Sequence, residues 1–191
     1  MFPIEAFADS VHAIADILRN LAIPFHLTGG ITSLAYGEPR MTQDVDLVLD
    51  PVRCREIVDG LISALESSRF LFDRATLRAA VRDERQFQLL DSIESLKLDL
   101  YPRELIEGEL QRSVQFEVFQ GSTVPIVSLP DAVISKLLWI SNGSHKSRRD
   151  VRQLFRACKP AELDSVRVLA ESSSLSQLLE EVLSEPDEID L

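Results

Sequence analysis

The sequence predicts an α+β (mixed α/β) fold, in which a small mixed β-sheet with flanking helices is followed by a C-terminal helical subdomain. Segments with alternating polar and apolar residues lie before about residue 128, and helical spacing of apolar residues prevails after Leu129-Pro130. In a chain of 191 residues, the 45% hydrophobic content is sufficient to bury a core. We therefore expect a core over residues 1–127, a helical subdomain over 128–185 and an acidic tail over 186–191.

The core is predicted to alternate helices with strands. Near the start of the sequence, apolar residues recur at helical spacing, and Pro24 prevents that helix from continuing. Pro51 is expected to open another helix at its first position. The predicted helices of the core cover residues 5–21, 31–37 and 51–67. Alternation predicts strands at 25–28, 43–50, 85–92 and 95–102, and a hairpin over 117–127. The predicted helices of the subdomain cover residues 130–141, 147–158, 161–171 and 174–184.

The charge of the chain is unevenly distributed. The formal net charge of -11 argues against a protein that coats nucleic acid nonspecifically, because such binding depends on neutralising many phosphates. Between residues 136 and 159, however, seven bases accompany the single acid Asp150, whereas from residue 161 onward nine acids accompany only Arg167. The first stretch could receive a polyanion, and the second would repel it.

No segment predicts insertion into a membrane or transport across one. None approaches the roughly 18 uninterrupted apolar residues of a membrane helix, and the first residues lack the basic and apolar regions of a signal peptide. Cys54 and Cys158 lie far apart, outside any metal-ligand spacing. We expect a cytoplasmic protein whose two cysteines are reduced, structural thiols.

Two aspartates in a D-x-D motif lie on a predicted strand. Asp44 and Asp46 therefore project from the same face, while Val45 and Leu47 face the other way. Such a pair is also common on the solvent-facing side of an ordinary strand. The motif alone does not distinguish a site from a polar surface.

A third aspartate favours a site. Asp99 lies in LKLDLYP, where leucines alternate with polar residues as on a second strand. If the two strands are neighbours, three carboxylates converge, and their repulsion makes that arrangement unfavourable without a cation. Oxygen ligands with open coordination positions suit Mg²⁺ or Mn²⁺. The sequence therefore predicts a site for Mg²⁺ or Mn²⁺ whose ligands are Asp44, Asp46 and Asp99.

A glycine turn precedes the D-x-D motif. Thr28, Gly29 and Gly30 join a predicted strand to a short predicted helix, and Asp44 follows fourteen residues after Gly30. Glycine lets the backbone approach phosphate closely, and a helix N-terminus offers free N–H donors. Ser33 could add a hydroxyl from the first helical turn. Most glycine pairs are simply turns, so the order of strand, glycine pair, short helix and D-x-D carries the signal.

In this order the sequence resembles the DNA polymerase β superfamily of nucleotidyltransferases. The matching residues are LTGG (27–30), DVDL (44–47) and Asp99 in LKLDLY. The resemblance implies an enzyme that holds divalent cations against a nucleoside triphosphate. A pair of such ions holds the triphosphate, lowers the pKa of an attacking hydroxyl and neutralises the leaving pyrophosphate. Asp99 is then expected to be the partner of the attacking hydroxyl.

A narrower resemblance covers roughly residues 23–158. GGITSLAYGEPRMTQDVDLVLD, followed by LPDAVISKLLW and RRDVRQLF, is similar to the AbiEii-like and MenT-like nucleotidyltransferases, many of which act as toxins of bacterial toxin–antitoxin pairs. By position, it implies that Lys136 contacts the triphosphate, that Asp150 orients it, and that a cognate antitoxin is a partner. The expected catalytic residues are Asp44, Asp46, Asp99, Lys136 and Asp150. The expected nucleotide-binding residues are Thr28, Gly29, Gly30, Ser33, Arg40 and Lys136.

Several of these assignments have an ordinary structural alternative. A lysine on an amphipathic helix is usually solvated, and Asp150 could pair with Lys146 or Arg149 on its helix surface. A loop arginine such as Arg40 is commonly just exposed. Trp139 is expected to lie on the core face of its helix and to pack there rather than stack on a base.

The sequence favours transfer of a nucleoside monophosphate from an NTP to a hydroxyl. An RNA or tRNA 3′ end is one candidate acceptor, and the basic helices would guide its phosphates. A small polyol such as an aminoglycoside is another candidate. A noncatalytic, antitoxin-like module is a third reading, but it would require a lost acid, and all three acids are present.

Overall fold

The computed structural model describes residues 4–37, 44–119, 122–144 and 147–186. This part of the chain forms two compact units. The first contains the described residues up to Ile31 and those from Asp44 to Val127, and the second contains residues 32–37 and those from Ser128 onward. Arg40, Lys146 and most of the predicted acidic tail lie outside the described residues.

The first unit is built on a mixed sheet, which has seven strands within the described ranges. The strands are β1 Phe25–Thr28, β2 Asp44–Leu49, β3 Phe70–Leu71, β4 Phe87–Asp91, β5 Lys97–Tyr101, β6 Val114–Phe119 and β7 Ser122–Ile126. Their order is β3-β4-β5-β2-β1-β7-β6. Because β2 pairs antiparallel with β1 and parallel with β5, the strand that carries the D-x-D motif lies at the centre of the sheet. The predicted fold class, with its mixed sheet, is confirmed.

Helices account for most of the remaining described residues. They are α1 Ile4–Asn20, α2 Ile31–Tyr36, α3 Pro51–Glu56, α4 Val58–Glu66, α5 Arg74–Arg82, α6 Leu129–Ser141, α7 Ser147–Ala157, α8 Pro160–Ser172 and α9 Ser176–Ser184. None of them is long and apolar enough to cross a membrane.

Side-chain alternation explains the central strands. Val45, Leu47 and Leu49 of β2 are almost completely buried, as are Leu98 and Leu100 of β5. Burying a leucine of this kind stabilises the fold by about 2 kcal/mol, so a shift of one residue in register would be strongly unfavourable. The apolar residues therefore set which face of β2 and β5 carries the polar side chains.

Two helices of the first unit differ from expectation. The single helix predicted over 51–67 is divided at Ile57, whose φ of -123° lies outside the helical range. Helix α5 was not predicted, although Leu77, Ala80 and Val81 recur at helical spacing in its sequence RATLRAAVR. Asp73 caps it by accepting a hydrogen bond of 2.7 Å from the Thr76 N–H, and Leu77 lies on its buried face.

The second unit contains α2 from Thr32 onward and the helices α6 to α9. Ser128 caps α6 by accepting a hydrogen bond from the Asp131 N–H, and Leu137 in this helix is fully buried. The expectation that Trp139 packs in the core is wrong, since this residue is 42% exposed. Two residues along a helix correspond to roughly 200° of rotation, so Trp139 points away from the side where Leu137 is buried.

The two cysteines are free thiols, as predicted. Burial, which is the larger cause, and the charge of Asp50 raise the pKa of Cys54 to about 12. Burial followed by the charge of Glu162 raises the pKa of Cys158 to about 11. Neither sulfur is a ready nucleophile at neutral pH, because the thiolate is the reactive form.

Candidate active site

The three predicted aspartates lie on one face of the central sheet. The parallel register of β2 and β5 sets Asp44 beside Lys97 and Asp46 beside Asp99. Because side chains alternate across a strand, these residues project to the face opposite the buried leucines. The predicted strand face is thus confirmed, and two neighbouring strands bring the carboxylates together. We call Asp44, Asp46 and Asp99 the carboxylate cluster.

A lysine that the sequence did not single out joins the carboxylate cluster. The Nζ atom of Lys97 lies 2.8 Å from Asp99 Oδ2 and 3.8 Å from Asp44 Oδ2. The Asp99 side chain is 7% exposed, whereas those of Lys97 and Asp44 are 43% and 39% exposed. The hydrogen bond to Asp99 is the main cause that raises the pKa of Lys97, and the charges of the cluster add to it against a smaller opposing effect of burial. Lys97 is therefore positively charged at neutral pH.

Tyr101 contacts the carboxylate cluster from the same strand as Asp99. Its hydroxyl donates a hydrogen bond of 3.4 Å to Asp46 Oδ1, and the residue is 5% exposed. Burial, followed by the negative charges of Asp46 and Asp99, raises the pKa of Tyr101 well above its usual value. Tyr101 therefore remains a neutral donor that orients Asp46.

The glycine turn lies directly against the carboxylate cluster. Thr28 pairs with Asp46 across β1 and β2, and the backbone of Gly29 adopts a φ of +69°. A Cβ atom at residue 29 would lie 1.9 Å from Asp46 Oδ2, so a side chain there would displace the carboxylate. Both the left-handed backbone and the close approach require glycine at this position.

The chemistry of the carboxylate cluster fits a divalent cation. Asp99 is 5% exposed, and its Oδ1 has no hydrogen-bond partner among the described residues. Within the same set, Thr28 Oγ1 is also buried without a hydrogen-bond partner. A buried carboxylate oxygen without a donor is unfavourable, so a ligand that supplies positive charge would stabilise it.

The geometry of the cluster is not that of a preassembled metal cage. Across the described ranges, no group of three or more acidic, histidine or cysteine side chains is arranged to hold a metal ion. At the carboxylate cluster, the ammonium of Lys97 provides the positive charge instead.

The second unit contains the other predicted site residues that the structure describes. The Nζ atom of Lys136 on α6 lies 3.0 Å from Oδ2 of Asp150 on α7, and their side chains are only 8% and 6% exposed. Lys136 is therefore a buried, paired lysine rather than a solvated one. Ser33 on α2 is also buried. Arg40 lies outside the described residues, so its predicted role has no structural counterpart here.

Two arginines of α7 are paired with acids near the end of α9. Arg148 forms ion pairs with Glu181, at 2.9 Å, and with Glu185. Arg152, which is 6% exposed, lies 2.6 Å from Glu185. At these positions the basic stretch seen in the sequence is neutralised by the acidic segment that follows it.

Sequence reasoning missed Lys97 and Tyr101 as members of the site. Both alternate with leucine in LKLDLY, two residues on either side of Asp99. The period of two that assigned Asp99 to a strand face also assigns these two residues to that face. The signal was therefore present, but only the neighbouring strand shows which acids they contact.

A comparison with protein families supplies the classification. The model of the family described as "Nucleotidyl transferase AbiEii toxin, Type IV TA system" matches residues 13–182. The chain belongs to this family. This AbiEii-family protein is thus a nucleotidyltransferase, as the resemblance implied, in a family of toxins from type IV toxin–antitoxin systems. None of the curated proteins compared with it is a match.

Solved structures share the fold of this AbiEii-family chain. A lincosamide antibiotic adenylyltransferase, LnuA, solved with lincomycin, is 15% identical at a TM-score of 0.51 and covers 78% of this chain and 97% of its own. The antibiotic-resistance factor ANT(2'')-Ia is 14% identical at a TM-score of 0.52, covering 95% and 91%. An antigenic nucleotidyltransferase-like protein from Paracoccidioides brasiliensis is 17% identical at 0.50, covering 92% and 91%. At these identities the likeness concerns the fold alone.

Proposed function

We propose that this AbiEii-family enzyme transfers a nucleoside monophosphate from an NTP to a hydroxyl acceptor in a reaction that requires Mg²⁺ or Mn²⁺. The observation that carries the proposal is the register of β2 and β5, which brings Asp44, Asp46 and Asp99 to one face. These three carboxylates would hold the cations. Bound there, the ions would stabilise the charge of the triphosphate and of the leaving pyrophosphate.

Asp99 is the proposed acceptor of the proton from the attacking hydroxyl. Its buried Oδ1 has no hydrogen-bond partner within the described part of the chain, and is therefore free to accept one from the substrate. The hydroxyl oxygen forms a bond to the α-phosphorus, and the bond from that phosphorus to the bridging oxygen breaks. Pyrophosphate leaves with the electron pair, and the proton passes to Asp99. Tyr101 keeps Asp46 oriented through its hydrogen bond.

The turn at Thr28, Gly29 and Gly30 is the proposed phosphate-binding element. The absence of a side chain at Gly29 keeps the backbone within contact distance of Asp46, so phosphates bound by the backbone would also lie near the carboxylates. The buried hydroxyl of Thr28, whose oxygen forms no hydrogen bond within the described residues, is available as a further donor.

We also propose that Lys136, Asp150, Ser33 and Arg40 take part in nucleotide binding. For Lys136 and Asp150 the proposal rests on the family resemblance, by which the lysine contacts the triphosphate and the aspartate orients it. Their buried ion pair supports it in part, because removing two charges from water is costly and such pairs are often kept for function. Ser33 and Arg40 are proposed from their sequence positions near the glycine turn and the D-x-D strand.

An RNA 3′ end is the first acceptor that we propose, in the cytoplasm, where RNA and NTPs occur together. A toxin that extends the 3′ ends of RNA would account for membership of a toxin family, and a cognate antitoxin would be its partner. The basic stretch of α7 also favours a phosphate-bearing acceptor. Such an acceptor would compete with Glu181 and Glu185 for Arg148 and Arg152.

A small polyol is the second candidate acceptor, and the paired arginines favour it. Because Arg148 and Arg152 are already neutralised, this surface attracts a polyanion less than the sequence suggests. A net charge of -11 also suits a cationic acceptor. The lincosamide antibiotic adenylyltransferase LnuA, which shares the fold, was solved with lincomycin bound.

The acceptor and the reaction can be tested together. The protein is incubated with Mg²⁺ and each NTP, labelled in separate reactions at the α- or the γ-phosphate, together with total bacterial RNA, lincomycin or tobramycin. Transfer predicts that only the α-label enters the acceptor and that the γ-label appears in pyrophosphate. The Asp44→Ala, Asp46→Ala double variant should transfer none. Labelling of RNA or of an antibiotic would identify the acceptor class, and α-label in no acceptor would contradict the proposal.

A further inference from the structure

Lys97 supplies the positive charge of the carboxylate cluster. It stands beside Asp44 in the register of β2 and β5, and its ammonium contacts both Asp44 and Asp99. The strand that provides the third carboxylate therefore also provides a cation that partly neutralises the cluster. Three carboxylates and one ammonium leave two uncompensated negative charges, so the cluster still attracts a further cation.

A divalent cation bound at the cluster would compete with Lys97 for the same carboxylate. The ammonium lies 2.8 Å from Asp99 Oδ2, while Mg²⁺ or Mn²⁺ binds a carboxylate oxygen at about 2.1 Å. Two cations on one carboxylate repel each other, because like charges a few ångströms apart near a protein surface are only partly screened by water. Binding of the ion therefore favours departure of the ammonium.

The Lys97 side chain can move away from the carboxylate cluster without a large cost in free energy. It is 43% exposed and has a flexible four-carbon stem. The ammonium would regain water as it moved outward. Lys136 provides the contrast, because its side chain is 8% exposed and its departure from Asp150 would leave a buried charge without its ion pair.

We propose that Lys97 is a displaceable counter-cation of the active site, which holds Asp44 and Asp99 in place before the divalent cation binds and moves out when it does. The inference rests on the proposed function, because it concerns the same carboxylates. Lys97 is thus a positioning residue that sets how tightly the cluster binds divalent cations. Removing its charge should lower the stability of the metal-free protein and raise its affinity for divalent cations. These two effects have opposite signs.

The test compares the wild-type protein with three variants. Lys97→Met removes the charge and keeps the length of the side chain, and Lys97→Arg keeps the charge. Arg82→Met is the matched control, because it also removes one positive charge from the first unit, from a side chain that is 73% exposed and pairs with Asp83. Mn²⁺ binding is measured by electron paramagnetic resonance of the free ion, and thermal unfolding is followed in EDTA and in excess Mn²⁺.

We expect Lys97→Met to bind Mn²⁺ roughly tenfold more tightly than the wild type, with Lys97→Arg and Arg82→Met within about twofold of it. In EDTA, Lys97→Met should have a lower Tm than the wild type, and Mn²⁺ should raise its Tm by more. Should Lys97→Met prove too unstable in EDTA, Lys97→Gln provides the same comparison.

The outcomes separate this inference from the function on which it rests. If the wild type binds Mn²⁺ and Lys97→Met binds it equally well or more weakly, the role proposed for Lys97 is overturned. The proposed function is then unaffected. A tightening shared by Arg82→Met would also overturn the role of Lys97, because the effect would then be one of net charge. Failure of Mn²⁺ to bind any folded variant would overturn the metal-dependent function, and this inference with it.

Discussion

Asp91 at the end of β4 and Asp99 in β5 are both buried carboxylates on neighbouring strands, yet they differ in the hydrogen-bond donors that surround them. The described residues supply donors to both oxygens of Asp91. Oδ2 accepts hydrogen bonds from Ser10 Oγ at 2.5 Å and Arg69 Nε at 2.8 Å, and Oδ1 accepts from the backbone N–H groups of Ile93 and Glu94 at 2.9 and 3.2 Å. Asp91 therefore joins α1, the start of β3 and the turn after β4.

The surroundings of Asp99 are incomplete by comparison. One oxygen faces the half-exposed ammonium of Lys97, and the other has no hydrogen-bond partner among the described residues. A protein that needed Asp99 only for stability would be expected to supply donors for both oxygens, as it does for Asp91. The difference supports the proposal that Asp99 binds a ligand, whereas Asp91 stabilises the fold.

The largest expected effect comes from Asp99→Asn. We expect transfer of the α-label to fall by about 10³-fold, because both cation binding and proton acceptance are lost. The free energy of unfolding should stay within about 1 kcal/mol of the wild type, since removing one charge from a repelling cluster offsets the lost pair with Lys97. Initial rates at saturating Mg²⁺ and urea unfolding test this, and an active or grossly unstable variant would place Asp99 in the same class as Asp91.

Lys136→Met tests Asp150, a buried carboxylate that pairs with Lys136 and is proposed to orient the nucleotide. It leaves Asp150 without its lysine, so the free energy of unfolding should fall by about 3 kcal/mol. The double variant Lys136→Met, Asp150→Leu should recover part of that loss, because both charges of the buried pair are removed together. If Lys136 and Asp150 bind the nucleotide, the double variant should be inactive even though it is stable. Recovery of activity together with stability would show that the pair is structural only.

Asp91→Asn should have the opposite profile to Asp99→Asn. The charge-assisted bond to Arg69 is lost while the other donors remain, so the free energy of unfolding should fall by about 2 to 3 kcal/mol. The rate per folded molecule should not change, because Asp91 lies outside the carboxylate cluster. Urea unfolding and active-site-normalised rates measure the two effects, and a catalytic defect in a well-folded variant would break the comparison.

Acid provides a smaller test of the same carboxylate. Burial alone would raise the pKa of Asp91, but the hydrogen bonds from Arg69, Ser10 and the backbone outweigh it and lower the pKa. The stability from a carboxyl with a depressed folded pKa is present above its unfolded pKa of about 4, and is lost as the pH falls through the folded value. The gap in unfolding free energy between wild type and Asp91→Asn should therefore shrink below about pH 4. Urea unfolding from pH 7 to pH 3 tests this, and a constant gap would contradict it.

Local sequence signals predicted most of the sheet and part of the site. Alternation in β2 and β5, together with the glycine turn at Gly29, identified the carboxylate face before any contact was known. Helix α5 escaped prediction because its apolar stripe is short and consists of Leu77, Ala80 and Val81. Arg74 pairs with Glu66 and Arg78 with Asp59, and neither pair is visible in local periodicity.

The remaining differences also depend on contacts between elements. The exposure of Trp139 depends on which side of α6 its neighbours cover, and an amphipathic pattern is weak in a helix that is apolar over most of its surface. The distinction between Asp91 and Asp99 is of the same kind. Both are single aspartates in strand-like segments, and only the three-dimensional structure shows which of them has a complete set of donors.

The measurement that tests the central claim most directly is anomalous diffraction from crystals of the protein soaked with Mn²⁺ and a non-hydrolysable NTP analogue. We predict an anomalous peak at about 2.1 Å from an oxygen of Asp99, shared with Asp44 or Asp46, with the triphosphate bound to it. Ordered triphosphate with no peak at these carboxylates, or a peak elsewhere in the chain, would contradict the assignment of the active site.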